Sequence, residues 1–202
     1  MKRALLIFGI LALVLGGCAF MSGKSANNTM VELEQNALSS WSQVENVYQR
    51  RADLIPNLVA TAQQYAEFEQ STLTNVAQAR KQVSDIVVTE EVLNDPQLME
   101  KFQESQNQLG QALSRFLSVA ESYPNLKSNE QFNALMAELA GTENRISTER
   151  KRFIDATREY NTFVKKFPNN LWAGVFGYET MQTFQAQAGA DKAPDVNEMF
   201  NR

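Results

Sequence analysis

The sequence predicts an all-α protein, an elongated antiparallel bundle of three to four long helices with the first kinked at Pro56. Three observations lead there. Helix breakers are scarce: between Lys24 and Gly174 the only glycines are Gly110 and Gly141, and prolines stand far apart at 56, 96, 124, 168 and 194. Apolar residues recur at spacings of three and four over long stretches. No alternating run is long enough for a useful strand; Asp85–Thr89 (DIVVT) comes nearest and is short. Hydrophobic residues make up 44% of the 202, enough to bury a core.

The chain opens with MKRALLIFGILALVLGGCAF. Lys2 and Arg3 precede an uncharged run from Ala4 to Leu15, followed by small residues and Cys18, so residues 1–17 read as a signal peptide. Leu15-Gly16-Gly17-Cys18 looks like a lipobox, in which the Cys18 thiol takes a diacylglycerol and Cys18 becomes the new N-terminus. Stable anchoring needs more than one acyl chain, so a multiply acylated, palmitate-bearing form is expected. The competing reading is an uncleaved transmembrane anchor. Ala4–Met21 would span roughly 27 Å as a helix, marginal for a hydrocarbon core of about 30 Å. Either way the positive end stays inside and the body lies outside the cytoplasm. It would sit on the periplasmic side of the inner or outer membrane, or at the cell surface. Ala19, with no Asp after the Cys, permits the outer membrane.

Residues 18–27 are expected to form a linker, 28–188 the bundle and 189–202 a polar tail. The first helix starts near Asn28. Its stripe runs through Leu38, Trp41, Val44, Tyr48, Ile55, Leu58, Ala62, Leu73 and Val76 and keeps phase across Pro56, which favours one kinked helix. Residues 84–96 form a connector. Asp95-Pro96 is a start signal, with Asp as N-cap and Pro at the first helical position. The second helix carries Leu98, Phe102, Leu109, Leu113 and Phe116 and stops at Pro124. Ser128 to Gln131 reads as a capping box for a third helix with Phe132, Leu139, Ile146, Phe153, Tyr160 and Val164, ending before Pro168. Stripes of this length must bundle, and a homo-oligomer is compatible with them.

Several segments resemble the LemA family of bacterial membrane-associated proteins. They are Trp41–Tyr48 with Arg50–Val59 (RRADLIPNLV), Leu139–Ile146 (LAGTENRI), and Tyr160-Asn161 followed by Phe167–Leu171 (FPNNL). The resemblance covers most of residues 28–200. It implies a helical bundle in the cell envelope, tethered at its N-terminus, with no established enzyme activity. Members often carry His where this chain has Phe68, so a role for that His cannot apply here. Many members also have a plain transmembrane anchor rather than a lipobox.

The composition narrows the chemistry. With no His and one Cys, the chain has no Ser-His-Asp or Cys-His catalysis, no His-ligated metal and no internal disulfide. A net charge of −4 argues against nucleic acid, which needs a concentrated basic surface. No catalytic residue, metal or cofactor is expected, and the partners are the membrane and other envelope proteins. Charges do fall at seam positions: Arg51, Glu69, Arg80, Glu143 and Arg150, with Asp53 and Arg145 beside them in the family strings. The expected role is pairing that sets register, against a buried ligand or ion site. Arg50-Arg51 and Lys165-Lys166 read as solvated basic pairs. Phe167–Tyr178 is strongly apolar, an end cap or a membrane or partner patch bearing Trp172. The leading function is a non-enzymatic scaffold or interaction module. A second reading is a lipid or apolar-ligand binder with a tunnel lined by Phe102, Phe116 and Phe153. A hydrolase built on Asp or Glu carboxylates comes third.

The anchor makes the first testable point. Cys18→Ser is expected to abolish metabolic labelling by fatty acid and to block lipoprotein-type cleavage; unchanged labelling would refute lipidation.

Overall fold

In the computed structural model, which describes residues 2–65, 68–86 and 91–184, every regular element is a helix. The helices are α1 (Lys2–Gln63), α2 (Gln70–Ser84), α3 (Glu91–Asn94), α4 (Pro96–Ala120), α5 (Pro124–Lys127), α6 (Glu130–Lys165) and α7 (Asn169–Phe176). Three of the five residues of the DIVVT run, Val87 to Thr89, and the tail 189–202 lie outside the described residues.

Helix α1 departs from expectation at both ends. It starts at Lys2 rather than near Asn28, and runs unbroken through residues 18–27, expected as a linker. Nothing there stops a helix, and Ala26 and Met30 share the buried face of Ala37, Trp41 and Val44. At the other end the expected helix through Val76 is two helices, α1 and α2, divided at residues 64–69. The chain reverses there, since the Arg80 Nε donates back to the Ala52 carbonyl at 3.1 Å. No Gly or Pro marks the reversal. Phe68 tucks its ring against Phe116 and Tyr123, with centroids 5.3 and 4.9 Å away. Glu69 then accepts hydrogen bonds from the Ser71 and Thr72 hydroxyls at the start of α2. The stripe keeps phase across the break because both arms of the hairpin face the same core.

Pro56 lies inside α1. Its nitrogen carries no hydrogen, so the carbonyl four residues earlier, that of Ala52, has lost its helical donor. The Arg80 side chain supplies the replacement. A buried carbonyl is thereby satisfied, and the helix continues past its proline.

The other starts follow local chemistry. Asp95 caps α4, accepting from Gln97 N at 2.8 Å and Leu98 N at 3.3 Å, with Pro96 in the first turn as anticipated. The cap of α6 is Asn129, one residue later than expected: its side chain accepts from Phe132 N at 2.9 Å. Ser128 is instead the C-cap of the single turn α5 and donates to the Asn125 carbonyl.

Helix α6 runs antiparallel to α1, as Trp41 against Phe153, Arg51 against Glu143 and Tyr65 against Asn129 show. Two cores result. One gathers Trp41, Tyr48, Phe102, Phe153 and Tyr160 with Leu93, Met181 and Phe184. The other gathers Ile55, Leu58, Phe68, Val76, Leu109, Phe116, Phe132 and Leu139. Part of the first core comes from an irregular segment, residues 178–184, that the sequence did not single out. Asn161 holds it by both its amide and its carbonyl, to Met181 O and Met181 N, each at 2.9 Å. Tyr160 donates to the Glu179 carbonyl, and Gln182 N to the Leu93 carbonyl. Burial, with Glu34 nearby, pushes the Tyr160 hydroxyl up to about 12.

The Arg80–Pro56 link predicts coupling. Arg80→Met should cost about 1–3 kcal/mol in the native background and clearly less beside Pro56→Ala, whose own N–H can serve Ala52. Denaturant unfolding of the full chain in detergent reads both; equal costs in the two backgrounds would contradict the link.

Candidate functional site

Between the two cores lies a polar layer. Along α1 it falls between Tyr48 and Ile55, along α4 between Phe102 and Leu109, and along α6 between Leu139 and Ile146. The buried polar residues Arg51, Ser105, Gln106 and Thr142 occupy these gaps. Arg51 is the centre. Its side chain is 5% exposed, and it donates to Glu143 Oε1 at 2.8 Å and to the Gln106 side-chain oxygen. Three helices thus meet on one guanidinium. Glu143 is 48% exposed, so the pair has one dry and one wet member. Arg51 Nε and Gln106 Nε2 are buried without a protein partner among the described residues. Such atoms are commonly met by internal water.

Two further groups complete the layer. The Arg51 guanidinium carbon lies 5.1 Å from the centre of the Tyr48 ring, and that of Arg150 lies 4.2 Å from the Phe184 ring. Burial raises the Tyr48 hydroxyl above its ordinary value, against the pull of Arg150 and Arg51. An open cavity of about 360 Å³ runs along Tyr48, Arg51, Gln106, Glu143 and Arg150. A second, about 350 Å³, lies beyond Tyr48 and Gln106 against Ala52, Val83 and Ile86. Arginines whose charge is met by Glu143 and aromatic faces suit register and orientation. No nucleophile stands paired with a base in this layer. Among the described residues no group of three or more Cys, Asp or Glu converges as a metal site.

The remaining sequence candidates do not join this layer. Asp53 is exposed and accepts from Gln49 Nε2 at 2.8 Å. Glu69 sits in the turn before α2, its carboxyl held below the ordinary range by the Ser71 and Thr72 hydroxyls. Arg80 serves Ala52, and Arg145 is exposed on α6. The Arg50-Arg51 pair does not form one solvated face: Arg50 reaches Glu138 at the surface, while Arg51 turns inward. The proposed tunnel has no counterpart. Phe102 and Phe153 pack in one core around Trp41, and Phe116 lies in the other, across the Arg51 layer.

The second notable region is the N-terminal part of α1. It is the one helix among the described residues long and apolar enough to cross a membrane. Leu6, Ile7, Phe8, Leu13, Leu15, Phe20 and Met21 are exposed, as is Cys18. Packing begins at Gly23, where α7 closes in. A Cβ on Gly23 would stand 3.0 Å from the Trp172 ring, tighter than ordinary contact, so a larger residue there would press the ring outward.

A family model described as LemA family matches residues 40–197. The magnetosome proteins MamQ 1 and MamQ 2 of Paramagnetospirillum magneticum are each 25% identical over 98% of this chain and 78% of their own length. Magnetosome protein MamQ of Magnetospirillum gryphiswaldense is 23% identical over 81% of this chain and 66% of its own.

The Arg51 layer is testable by a double-mutant cycle. Arg51→Met and Glu143→Gln should each cost about 1–3 kcal/mol, the first by stranding Gln106 and the second by stranding a buried charge. Together they should cost less than the sum by at least about 0.5 kcal/mol; strict additivity in equilibrium unfolding would contradict the pairing.

Proposed function

The chain belongs to the LemA family, and from that premise we propose that it is a membrane-anchored, non-enzymatic envelope protein whose helical bundle serves as a scaffold or interaction module. The observation that carries this reading is α1 itself. One helix holds both the bare apolar segment and the stripe that builds the cores. Anchor and bundle therefore share a backbone rather than a tether.

The anchor has two forms consistent with that geometry. Uncleaved, α1 crosses the bilayer as a helix. Cleaved before Cys18, the chain begins a little over one turn before Gly23, and acyl chains on Cys18 enter the bilayer directly beneath the bundle. In both, the body stands outside the cytoplasm; in the uncleaved form Lys2 and Arg3 mark the inner end. The rest of the chain is then a stiff rod, bent at Pro56, that holds its far end away from the membrane. Its surfaces are available to other envelope proteins or to further copies of itself.

Placing Arg at both Leu11 and Val14 should make insertion of this segment worse by about 5–7 kcal/mol. In cell fractionation the chain should move from the membrane pellet to the soluble fraction. Retention of the doubly substituted chain in the membrane would contradict the anchor.

A further inference from the structure

Helix α7 has an apolar face that no part of the described chain covers. Phe167, Leu171 and Val175 are 74%, 59% and 70% exposed, and Phe176, stacked on Trp172, is also exposed. The spacing of four places Leu171 and Val175 on one side of α7, and Phe167 stands exposed in the turn just before it. The opposite side does the packing: Ala173 is buried, and Trp172 lies against Gly23 of α1. No charged residue occurs between Phe167 and Tyr178. A short helix bathed in water would be expected to carry polar residues on its outward face.

Its position says what meets that face. Gly23 lies two residues beyond Met21, the last of the exposed apolar residues at the start of α1. The Trp172–Gly23 contact therefore sets α7 beside the end of that belt. Exposed lysines border it: Lys24 on α1, and Lys165 and Lys166 just before Phe167. Length points the same way. Ala4–Met21 spans roughly 27 Å as a helix, a little short of a hydrocarbon core of about 30 Å. A lipidated Cys18 would also benefit, since stable anchoring takes a second signal beside an acyl chain.

We propose that α7 is a membrane-seating foot: Phe167, Leu171, Val175 and Phe176 insert into the interfacial layer of the bilayer that holds α1, while Lys24, Lys165 and Lys166 meet anionic headgroups. The occupant of the face is lipid, and the proposal rests on the anchored reading above. The foot fixes the rod's angle to the membrane, because α7 is locked to α1 at Gly23 and joined to the end of α6.

The test uses the full chain reconstituted in phosphatidylglycerol-containing vesicles whose acyl chains are brominated near the headgroup. Trp172 should be quenched, removing roughly half of the emission if the two tryptophans emit equally. Trp41, buried and roughly 27 Å further along α1 than Gly23, should be spared and report that the bundle is folded. Phe167→Ser, Leu171→Ser and Val175→Ser together should relieve the quenching while the chain still floats with the vesicles. Lys165→Glu with Lys166→Glu should weaken it on anionic vesicles without touching the apolar face. Three results would overturn the foot and leave the anchor standing in a floating chain: Trp172 unquenched, equal quenching in the triple-serine variant, or Trp172 shielded from both lipid bromine and aqueous iodide, which would mean a protein covers the face. A chain that does not float would sink the anchored reading and the foot with it.

Discussion

Helix α1 presents an apolar stripe from Ala26 to Ala62, and its neighbours are arranged to keep water from all of it. One antiparallel helix, α6, follows it along both cores. Other elements work in shifts: α2 and the later turns of α4 cover the half beyond Arg51, while α3, the start of α4 and residues 178–184 cover the half before it. The stripe would be useless if α1 broke at its proline. The Arg80 side chain meets the carbonyl that Pro56 leaves without a donor, so the residue most hostile to the helix is accommodated by the hairpin partner.

The Arg51 layer answers a different problem. Two apolar cores stacked along a rod can slide by a helical turn and still bury similar surfaces. A guanidinium held by Gln106 of α4 and Glu143 of α6 is not satisfied after such a slip. Buried pairs of this kind contribute little net stability against apolar replacements, but they penalise wrong registers heavily. The layer is where α1, α4 and α6 are keyed to one another. Its buried polar groups follow from that task.

Much of the helical content was legible because it depends on local features: sparse Gly and Pro, the Asp95-Pro96 start, and three-and-four spacing. The hairpin at residues 64–69 was not. Its turn is made by burial of Phe68 and by Glu69 bonds to Ser71 and Thr72, with no breaker to announce it. The stripe even disguised it, since residues on both arms point into one core. The segment 178–184 was hidden for a similar reason: it has no periodicity, and its order comes from Asn161 and Tyr160 on another element. In the candidate site, Arg51, Glu143 and Arg150 stood out as charges in an apolar register. Gln106 did not, because one Gln in a Gln-rich helix carries no signal until its neighbours are known. Residues 18–27, expected as a linker, lie within α1, and Gly23 there does not interrupt the helix.

Helix α1 carries the apolar N-terminal segment and the bundle's stripe on one continuous element, so under the proposed anchoring the orientation of the bundle is set at the membrane rather than left to a tether. Spin labels on Cys18 and on a cysteine placed at exposed Asn46 of the unprocessed full chain, measured by pulsed dipolar spectroscopy in bilayers, test this directly. A continuous α1 predicts one narrow distance distribution centred near about 42 Å, the rise of 28 helical residues. A broad distribution extending to shorter distances would mean that residues 18–27 act as a flexible linker, and would contradict the continuous helix.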